Sequence, residues 1–371
     1  MDVTRFTHPI DLRAVSITDP FWQRETELVR REVIPYQWEA LNDRIPGAEK
    51  SWCMHNFRLA GRIMAQYRQQ GAQYTPQAYA SRGYDALPDD PAHPDEDKFY
   101  GFVFQDTDFS KWIEAVGYSL IQHPDKALEA TADEAIDVVC AAQTPEGYLD
   151  TYYIINGMDG EFQSLRDHHE LYCLGHLIEG AVSYYQATGK DKLLRAACRF
   201  ADYVADFFGT ADGQCKGYPG HEIAEMALVR LYEVTQDEKY LRLSRFFINE
   251  RGQEPNYFVE EERRNAEREH RPVRSVNLAY HQAVKPVREQ DEAMGHAVRA
   301  VYLYSGMADV ARMTGDDSLK SACERIWRSI VQEKLYITGG IGATQIGEAF
   351  SYAYDLPNDT AYSETCAAIG L

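Results

Sequence analysis

Apolar residues recur every three or four positions along most of this chain of 371 residues. That spacing places them on one face of an α-helix, so the pattern predicts a helical protein of about ten helices and few strands. The predicted helices cover residues 21–42, 52–68, 108–122, 125–143, 169–188, 191–208, 221–235, 238–249, 290–313 and 317–333. The expected fold class is therefore all-α.

Three segments of the sequence repeat one design. In residues 184–204, 231–248 and 310–330, one helix ends at a threonine, a short polar turn follows, and a second amphipathic helix begins. A helical hairpin cannot bury its apolar face alone, so repeated hairpins must stack into an open solenoid or a closed ring. The repeats are unevenly spaced and long loops interrupt them, which favours the ring. We therefore expect an (α/α)₆ toroid.

Three long segments between the predicted helices read as loops. Residues 88–99 are rich in Pro and Asp, residues 144–160 are rich in turn-forming residues, and residues 250–275 are strongly charged. Loops carried by a rigid scaffold often hold binding residues, so these three are candidate walls of a site.

The domain organisation follows from the number of hairpins. A ring of six hairpins needs about twelve helices, and an eleventh helix only begins near the end of the chain. We expect an N-terminal extension, residues 1–20, and a barrel, residues 21–371, that stops before its last hairpin. Because the chain ends in the apolar run 367–371, a truncated reading frame is expected, with a short natural variant as the alternative.

Charge and composition limit the partners. The chain has 58 acidic and 38 basic residues and a formal net charge of −20, which disfavours binding to nucleic acid or to an anionic membrane. A small neutral molecule fits better. The sequence shows neither a signal-peptide pattern nor a stretch of about 18 uncharged apolar residues, so we expect a soluble cytoplasmic protein. An oligomer remains possible.

The glycine-rich segment 338–348 is a candidate site. Its four glycines let the backbone approach a ligand closely and can lift the carboxylate of Glu348 into a cleft. The segment lacks the Gly-Lys-Ser/Thr ending of a phosphate loop, which disfavours nucleotides. Glu348 and Glu364 could form the carboxylate pair of a glycosidase, although two glutamates among 58 acidic residues more often lie on the solvated surface.

Two further residue types could carry chemistry. Glu364 and Cys366 can both bind Zn²⁺, but a zinc site takes about four donors, and a buried thiol at a helix start is the simpler interpretation of Cys366. Histidines stand where loops lead into helices, as His169, His221 and His296 do. In a toroid the helix N-termini of the inner ring line the cavity, so His169 and His221 could bind sugar hydroxyls, whereas a lone histidine is more often structural.

Six blocks of the sequence support a family resemblance. They are GFVFQDTDFSKWIEAVGYSL, HHELYCLGHLIEGAVSYYQATGK, GYPGHEIAEMALVRLY, VREQDEAMGHAVRAVYLYSGMADVA, YITGGIG and YDLPNDTAYSETCA. Together they resemble glycoside hydrolase family 127, the β-L-arabinofuranosidase family, over roughly residues 10–371.

The resemblance implies a retaining glycosidase that releases a non-reducing-end sugar, in particular β-L-arabinofuranose. It implies Glu348 as the general acid/base, Glu364 and Cys366 as zinc ligands, and His169, His221 and His296 as sugar contacts. In that family a zinc-held cysteine is the nucleophile. This cysteine lies downstream of the ETC motif, and β-sandwich domains follow the barrel. We therefore expect residues 1–371 alone to be inactive, with an incomplete zinc site.

Two other functions stay open from the sequence. An (α/α)₆ barrel could also be a sugar epimerase or an unsaturated-uronide hydrolase, which would transfer protons through His or Asp without zinc. A non-catalytic carbohydrate-binding protein is the second alternative.

Overall fold

A computed structural model describes residues 9–71 and 84–371. The predicted extension, residues 1–20, is thus described only from residue 9. Helices dominate the described chain, which also contains a two-stranded antiparallel sheet of β1, Asp85–Ala86, and β2, Gly101–Phe102. None of the helices in this part of the chain has both the length and the apolar character needed to cross a membrane. The all-α prediction is confirmed.

The α-helices are numbered in chain order. They are α1 Pro20–Leu28, α2 Ile34–Leu41, α3 Cys53–Gln70, α4 Asp106–Gln122, α5 Lys126–Ala142, α6 Thr151–Asn156, α7 Glu170–Thr188, α8 Lys192–Phe207, α9 Ala224–Thr235, α10 Glu238–Glu250, α11 Tyr257–Arg268, α12 Ala297–Thr314, α13 Asp317–Ser329 and α14 Thr365–Gly370. Two π-helical turns, Val29–Val33 and Ile330–Lys334, join α1 to α2 and extend α13.

Short polar side chains begin several of these helices. The side chains of Asp125, Asp237, Asn256 and Asp316 each accept a hydrogen bond from a backbone N–H two or three residues further on, at 2.9–3.1 Å. Such an N-cap satisfies a backbone donor that the helix leaves open and typically contributes about 1 kcal/mol. These residues therefore fix where α5, α10, α11 and α13 start.

The three repeated segments form the predicted helical hairpins, α7–α8, α9–α10 and α12–α13. At the end of the first helix in each hairpin, a threonine hydroxyl donates to the carbonyl four residues earlier at 2.7–2.8 Å; these residues are Thr188, Thr235 and Thr314. Helix α9 packs against α10 and α12, and α12 packs against α13. The hairpin prediction is confirmed.

The described residues divide into two compact units. The N-terminal unit comprises residues 9–161 and 176–203, and in it α3 packs against α4, α5 and α6. The C-terminal unit comprises residues 162–175 and 204–371, and its main apolar core draws on α9, α10, α12, α13 and α14. The candidate catalytic, metal-binding and sugar-binding residues named from the sequence all lie in the C-terminal unit, whereas the candidate wall segments 88–99 and 144–160 lie in the N-terminal unit.

Two predicted loops contain helices, which corrects the interpretation of the sequence. Residues 144–160 include the six-residue helix α6, all of it buried and capped by the Asp150 carboxylate. A helix of fewer than two turns is too short to show a periodic pattern. The prediction of a loop over these residues was therefore wrong in its central part.

The charged residues 250–275 include the three-turn helix α11. Its buried residues have the spacing of one helix face; they are Phe258, Glu261, Glu262, Asn265 and Ala266. Three of these five are polar, so a pattern based on apolar residues does not detect the helix. The glutamates are accommodated because each is hydrogen-bonded: Glu261 accepts from the backbone N–H of Leu165 at 2.8 Å, and Glu262 from that of Arg274 at 2.7 Å.

Candidate active site

Three helices begin next to the predicted histidines. His169 precedes α7, His221 lies three residues before α9, and His296 is the N-cap residue of α12. The ring centroids of His169 and His221 are 5.6 Å apart, and those of His221 and His296 are 5.5 Å apart. The structure thus brings the three together in one row, called here the histidine row, with His221 at its centre.

Tyrosine rings border the histidine row. The Tyr172 ring lies 4.4 Å from that of His221, and the Tyr280 ring meets that of His296 edge-on at 5.5 Å. Rings with an apolar face and a polar edge suit the mixed surface of a sugar. The sequence analysis did not single out these tyrosines. Tyr172 could have been found, because it follows His169 by three residues and so shares its side of the helix.

All three histidines have lowered pKa values. Burial is the largest cause and the positive charge of the Arg299 guanidinium is the next; together they lower the pKa of His169 and of His296 to about 3. The same causes bring the pKa of His221 well below its ordinary value. The histidine row is therefore uncharged at neutral pH. His169 and His221 each donate Nδ1–H to a backbone carbonyl at 2.9 Å, so the Nε2 of each neutral ring is an acceptor, which suits a hydroxyl group of a neutral ligand.

The backbone around Glu348 is tied to the start of α12. The Glu348 carbonyl accepts from the Ala297 N–H at 2.9 Å, and the Phe350 N–H donates to the Gly295 carbonyl at 2.8 Å. These two bonds hold the glycine-rich segment beside His296, which lies between Gly295 and Ala297. The backbone of Glu348 is thereby held next to that of His296.

A tight turn places the Glu348 side chain. Thr344 and Ala349 exchange backbone hydrogen bonds of 3.2 and 3.0 Å, and the chain reverses through Gly347 and Glu348 with φ of 72° and 52°. Positive φ is easy for glycine but strained for glutamate, and such strain is concentrated at functional sites. The hydrogen bonds on both sides of the turn hold Glu348 in this conformation.

His296 contacts Glu348 directly. Its Nε2 lies 2.9 Å from Glu348 Oε2, and its Nδ1 accepts the backbone N–H of Arg299 at 3.2 Å. Because a backbone N–H can only donate, Nδ1 is unprotonated and the neutral ring carries its proton on Nε2. The His296 ring therefore donates a hydrogen bond to the Glu348 carboxylate.

Opposing influences act on the Glu348 carboxyl. Partial burial raises its pKa above the ordinary value, and the negative charge of Glu364 adds to this; a hydrogen bond from the Tyr362 hydroxyl and the charge of Arg299 work in the opposite direction. The net effect is a raised pKa. The Glu348 side chain is 42% exposed, so a ligand can reach it. A carboxyl of this kind can hold a proton and give it to a ligand.

Glu364 and Cys366 lie at the start of α14. Glu364 is the N-cap residue and Cys366 is exposed, so the interpretation of Cys366 as a buried thiol is wrong. A carboxylate and a thiol are suitable zinc donors. Among the described residues, however, no group of three or more His, Cys, Asp or Glu side chains could hold a metal ion. The pair fits part of a zinc site, and the described residues do not complete one.

Comparison with known proteins identifies the family. Residues 14–371 match the family model for the β-L-arabinofuranosidase GH127 catalytic domain. The chain belongs to glycoside hydrolase family 127. The family resemblance seen in the sequence is thereby confirmed.

Several GH127 proteins are similar over nearly the whole chain. The non-reducing-end β-L-arabinofuranosidase of Bifidobacterium longum subsp. longum is 39% identical over 362 residues, covering 96% of this chain and 52% of that protein. The crystal structure of a GH127 β-L-arabinofuranosidase from Geobacillus stearothermophilus T6 is 47% identical with a TM-score of 0.84, covering 96% of this chain and 51% of that one. This GH127 chain spans about half the length of these relatives.

A second solved GH127 structure, that of a β-arabinofuranosidase, is 39% identical with a TM-score of 0.78 and covers 98% of this chain and 49% of that one. The predicted (α/α) fold class is confirmed by these structural similarities together with the observed hairpins. The roles of Glu348, Glu364, Cys366 and the three histidines remain predictions.

Proposed function

We propose that this chain carries the acid/base and sugar-binding part of a retaining β-L-arabinofuranosidase that acts at non-reducing ends. Membership of GH127 supports the reaction class, and the named activities of the relatives support the sugar. The observation on which the proposal rests most directly is the 2.9 Å contact between Glu348 Oε2 and His296 Nε2. It places a carboxyl of raised pKa at the end of a row of neutral histidines.

Glu348 acts twice in the proposed reaction. Its proton passes to the glycosidic oxygen as the bond to the anomeric carbon breaks, and the resulting carboxylate later accepts a proton from the water that releases the sugar. The His296 Nε2–H stabilises the carboxylate form between these two steps. The raised pKa of Glu348 keeps the protonated form available for the first step.

His169, His221 and His296 contact the sugar in this proposal. The Nδ1–H of His169 and of His221 donates to a backbone carbonyl, so the Nε2 atoms of these two rings are acceptors for sugar hydroxyls. Both nitrogens of His296 are bonded, to Glu348 and to the Arg299 N–H, so its part is to hold Glu348 beside the sugar. The Tyr172 and Tyr280 rings beside the row offer apolar contact to the C–H groups of the sugar.

The proposed nucleophile is a cysteine thiolate; the family resemblance implies one that follows the ETC motif in the sequence. Zinc, when bound, supplies a positive charge that keeps a coordinating thiol deprotonated. Glu364 and Cys366 are the residues of this chain that would help to hold the metal ion. Without the metal ion, the negative charge of Glu364 adds to the raised pKa of Glu348.

The test uses the complete encoded protein and two aryl glycosides, the β-L-arabinofuranoside and its α-anomer as the control. We expect hydrolysis of the β-anomer only, and the first sugar detected by proton NMR should be the β-anomer. An α-anomer as first product would overturn the retaining mechanism. Epimerised sugar, turnover of unsaturated uronides, or tight sugar binding without turnover would each overturn the proposed activity.

A further inference from the structure

A buried arginine lies beside the histidine row. Arg299, in the first turn of α12, is only 6% exposed. Its guanidinium donates a hydrogen bond to the Gly220 carbonyl, lies 3.1 Å from His281 Nδ1, and stands 4.9 Å from the centre of the Tyr280 ring. The proposed reaction assigns no role to this group.

Two buried arginines hold the segment that carries His221. Arg299 binds the carbonyl that precedes His221. Arg251 donates to the Pro219 carbonyl at 2.6 Å and contacts the Glu222 carboxyl group at 2.8 Å. Guanidinium groups thus hold the two backbone carbonyls before His221 and the side chain of the residue after it, and the position of the central imidazole depends on them.

The two arginines differ in how their charge is balanced. Arg251 contacts the carboxyl groups of Glu222 and Glu225 at 2.8 and 3.2 Å; burial raises the pKa of Glu222 to about 8, so Glu225 is the carboxylate that balances Arg251. Arg299 has no ion pair with a carboxylate in residues 9–71 and 84–371, and its Nε is buried without a hydrogen-bond partner. The charge of Arg299 acts on Glu222 and Glu348 only at longer range, and a buried cation that no carboxylate contacts is costly to the folded state. Such a cost at a candidate active site points to a role other than stability.

We propose that Arg299 is a positioning residue for the hydrolysis described above. Its guanidinium holds the backbone that precedes His221, and its positive charge lies beside the histidine row. Arg299 acts on the sugar through the histidines and does not contact it. This inference rests on the proposed function for its kinetic consequences, but not for the protonation state of the histidines.

Electrostatics supports the second part of this role. After burial, Arg299 is the largest cause of the lowered pKa of each of the three histidines. The other titratable groups that face the row lie beside its individual members. They are Asp167 and His168 beside His169, Glu222 next to His221, Glu348 and Tyr280 beside His296, and Tyr172 and Tyr302 beside His221. Removing the Arg299 charge should therefore raise the pKa values of the row.

Two substitutions separate the charge from the hydrogen-bonding geometry. Arg299→Lys keeps the positive charge but loses the planar group that binds the Gly220 carbonyl. Arg299→Gln keeps an amide donor and removes the charge. Arg251→Met is the matched control, because Arg251 holds the same segment but is not among the causes of the lowered pKa values of the row.

The measurements are NMR titrations of labelled histidine side chains and steady-state kinetics on an aryl β-L-arabinofuranoside, both with the complete protein. In Arg299→Gln we expect at least one imidazole of the row to take up its proton about one pH unit higher than in the wild type. In Arg299→Lys the titrations should stay as in the wild type, while KM rises roughly 10- to 100-fold through the loss of hydrogen bonds to the sugar. In Arg299→Lys the value of kcat should change by a smaller factor than KM.

Arg251→Met should lower the melting temperature and leave the titrations of His169 and His296 unchanged. The proposal would be overturned if the histidine pKa values in Arg299→Gln equalled those of the wild type, or if KM in Arg299→Lys equalled the wild-type value. If the wild-type protein hydrolyses no β-L-arabinofuranoside, the proposed function fails. The NMR titrations need no substrate, so they still decide whether the charge of Arg299 lowers the pKa values of the histidine row.

Discussion

His296 donates its Nε2–H to Glu348 Oε2 across 2.9 Å, while its Nδ1 accepts the backbone N–H of Arg299 at 3.2 Å. One imidazole thus begins helix α12 and holds the candidate acid/base. The two contacts use opposite sides of the ring. A substitution can therefore remove the contact to Glu348 and preserve the helix cap.

His296→Asn makes this separation. Asparagine is a good N-cap residue, so α12 should still form, but its side chain is too short to reach Glu348 as the imidazole does. We expect a melting temperature close to that of the wild type and a fall in kcat/KM of roughly 10- to 100-fold, the loss of one hydrogen bond to a charged group. His296→Ala should show the same kinetic loss and also lose about 1 kcal/mol of folding stability. A wild-type kcat/KM in His296→Asn would show that the contact has no part in catalysis.

Glu348→Gln removes the proposed proton donor. For substrates with poor leaving groups we expect the rate to fall by roughly 10²–10⁴-fold, the range of general acid–base catalysis. Activated aryl glycosides need little protonation of the leaving group. For these substrates the rate of the first step should fall less, and hydrolysis of the intermediate should become rate-limiting. Azide should then restore turnover, because it attacks without base assistance. Equal slowing of both substrate types with no effect of azide would make Glu348 a structural residue.

The helices could be predicted where apolar residues mark the buried face. This holds for the hairpins α9–α10 and α12–α13, whose threonine-ended first helices are visible in the sequence. It fails for α11, where Glu261 and Glu262 occupy buried positions. Their burial depends on hydrogen-bond donors from distant residues such as Leu165, which periodicity cannot reveal.

The candidate site was predictable only in part. His169, His221 and His296 stand out because each occurs where a loop enters a helix, and Glu348 because it ends a glycine-rich segment. Arg299 did not stand out, since an arginine three residues into a helix is usually solvated. Its burial follows from contacts with Gly220 and Tyr280, which only the fold brings near.

The buried carboxylate of Glu262 should make stability depend on pH. Hydrogen bonds from Arg271, at 2.6 and 3.2 Å, are the largest cause that lowers the pKa of Glu262 from 4.5 to about 2. A lowered pKa means that the contribution to stability is present above pH 4.5 and is lost as the pH falls toward 2. Glu262→Gln should therefore reduce the free energy of unfolding by about 1–3 kcal/mol at pH 7, and the difference should shrink below pH 4.5.

Denaturant unfolding of both proteins between pH 7 and pH 3 measures this difference. Glu260→Gln is the control on the same helix, because the exposed pair that Glu260 forms with Arg263 should contribute less than about 1 kcal/mol. A Glu262→Gln penalty that stays constant across this pH range would mean that the loss is one of packing and not of charge.

Zinc binding tests the proposed roles of Glu364 and Cys366. Two donors hold zinc weakly, since a stable site takes about four. Residues 1–371 alone should therefore bind zinc poorly in a chelator competition. The complete protein should retain about one equivalent by elemental analysis and lose it on Cys366→Ser, because a hydroxyl is a far weaker zinc ligand than a thiolate.

Cys140→Ser, in α5 of the N-terminal unit, is the matched control and should keep its zinc. Tight stoichiometric zinc on residues 1–371 would instead mean that a ligand set within this chain completes the site, and retention of zinc by Cys366→Ser would remove Cys366 from it.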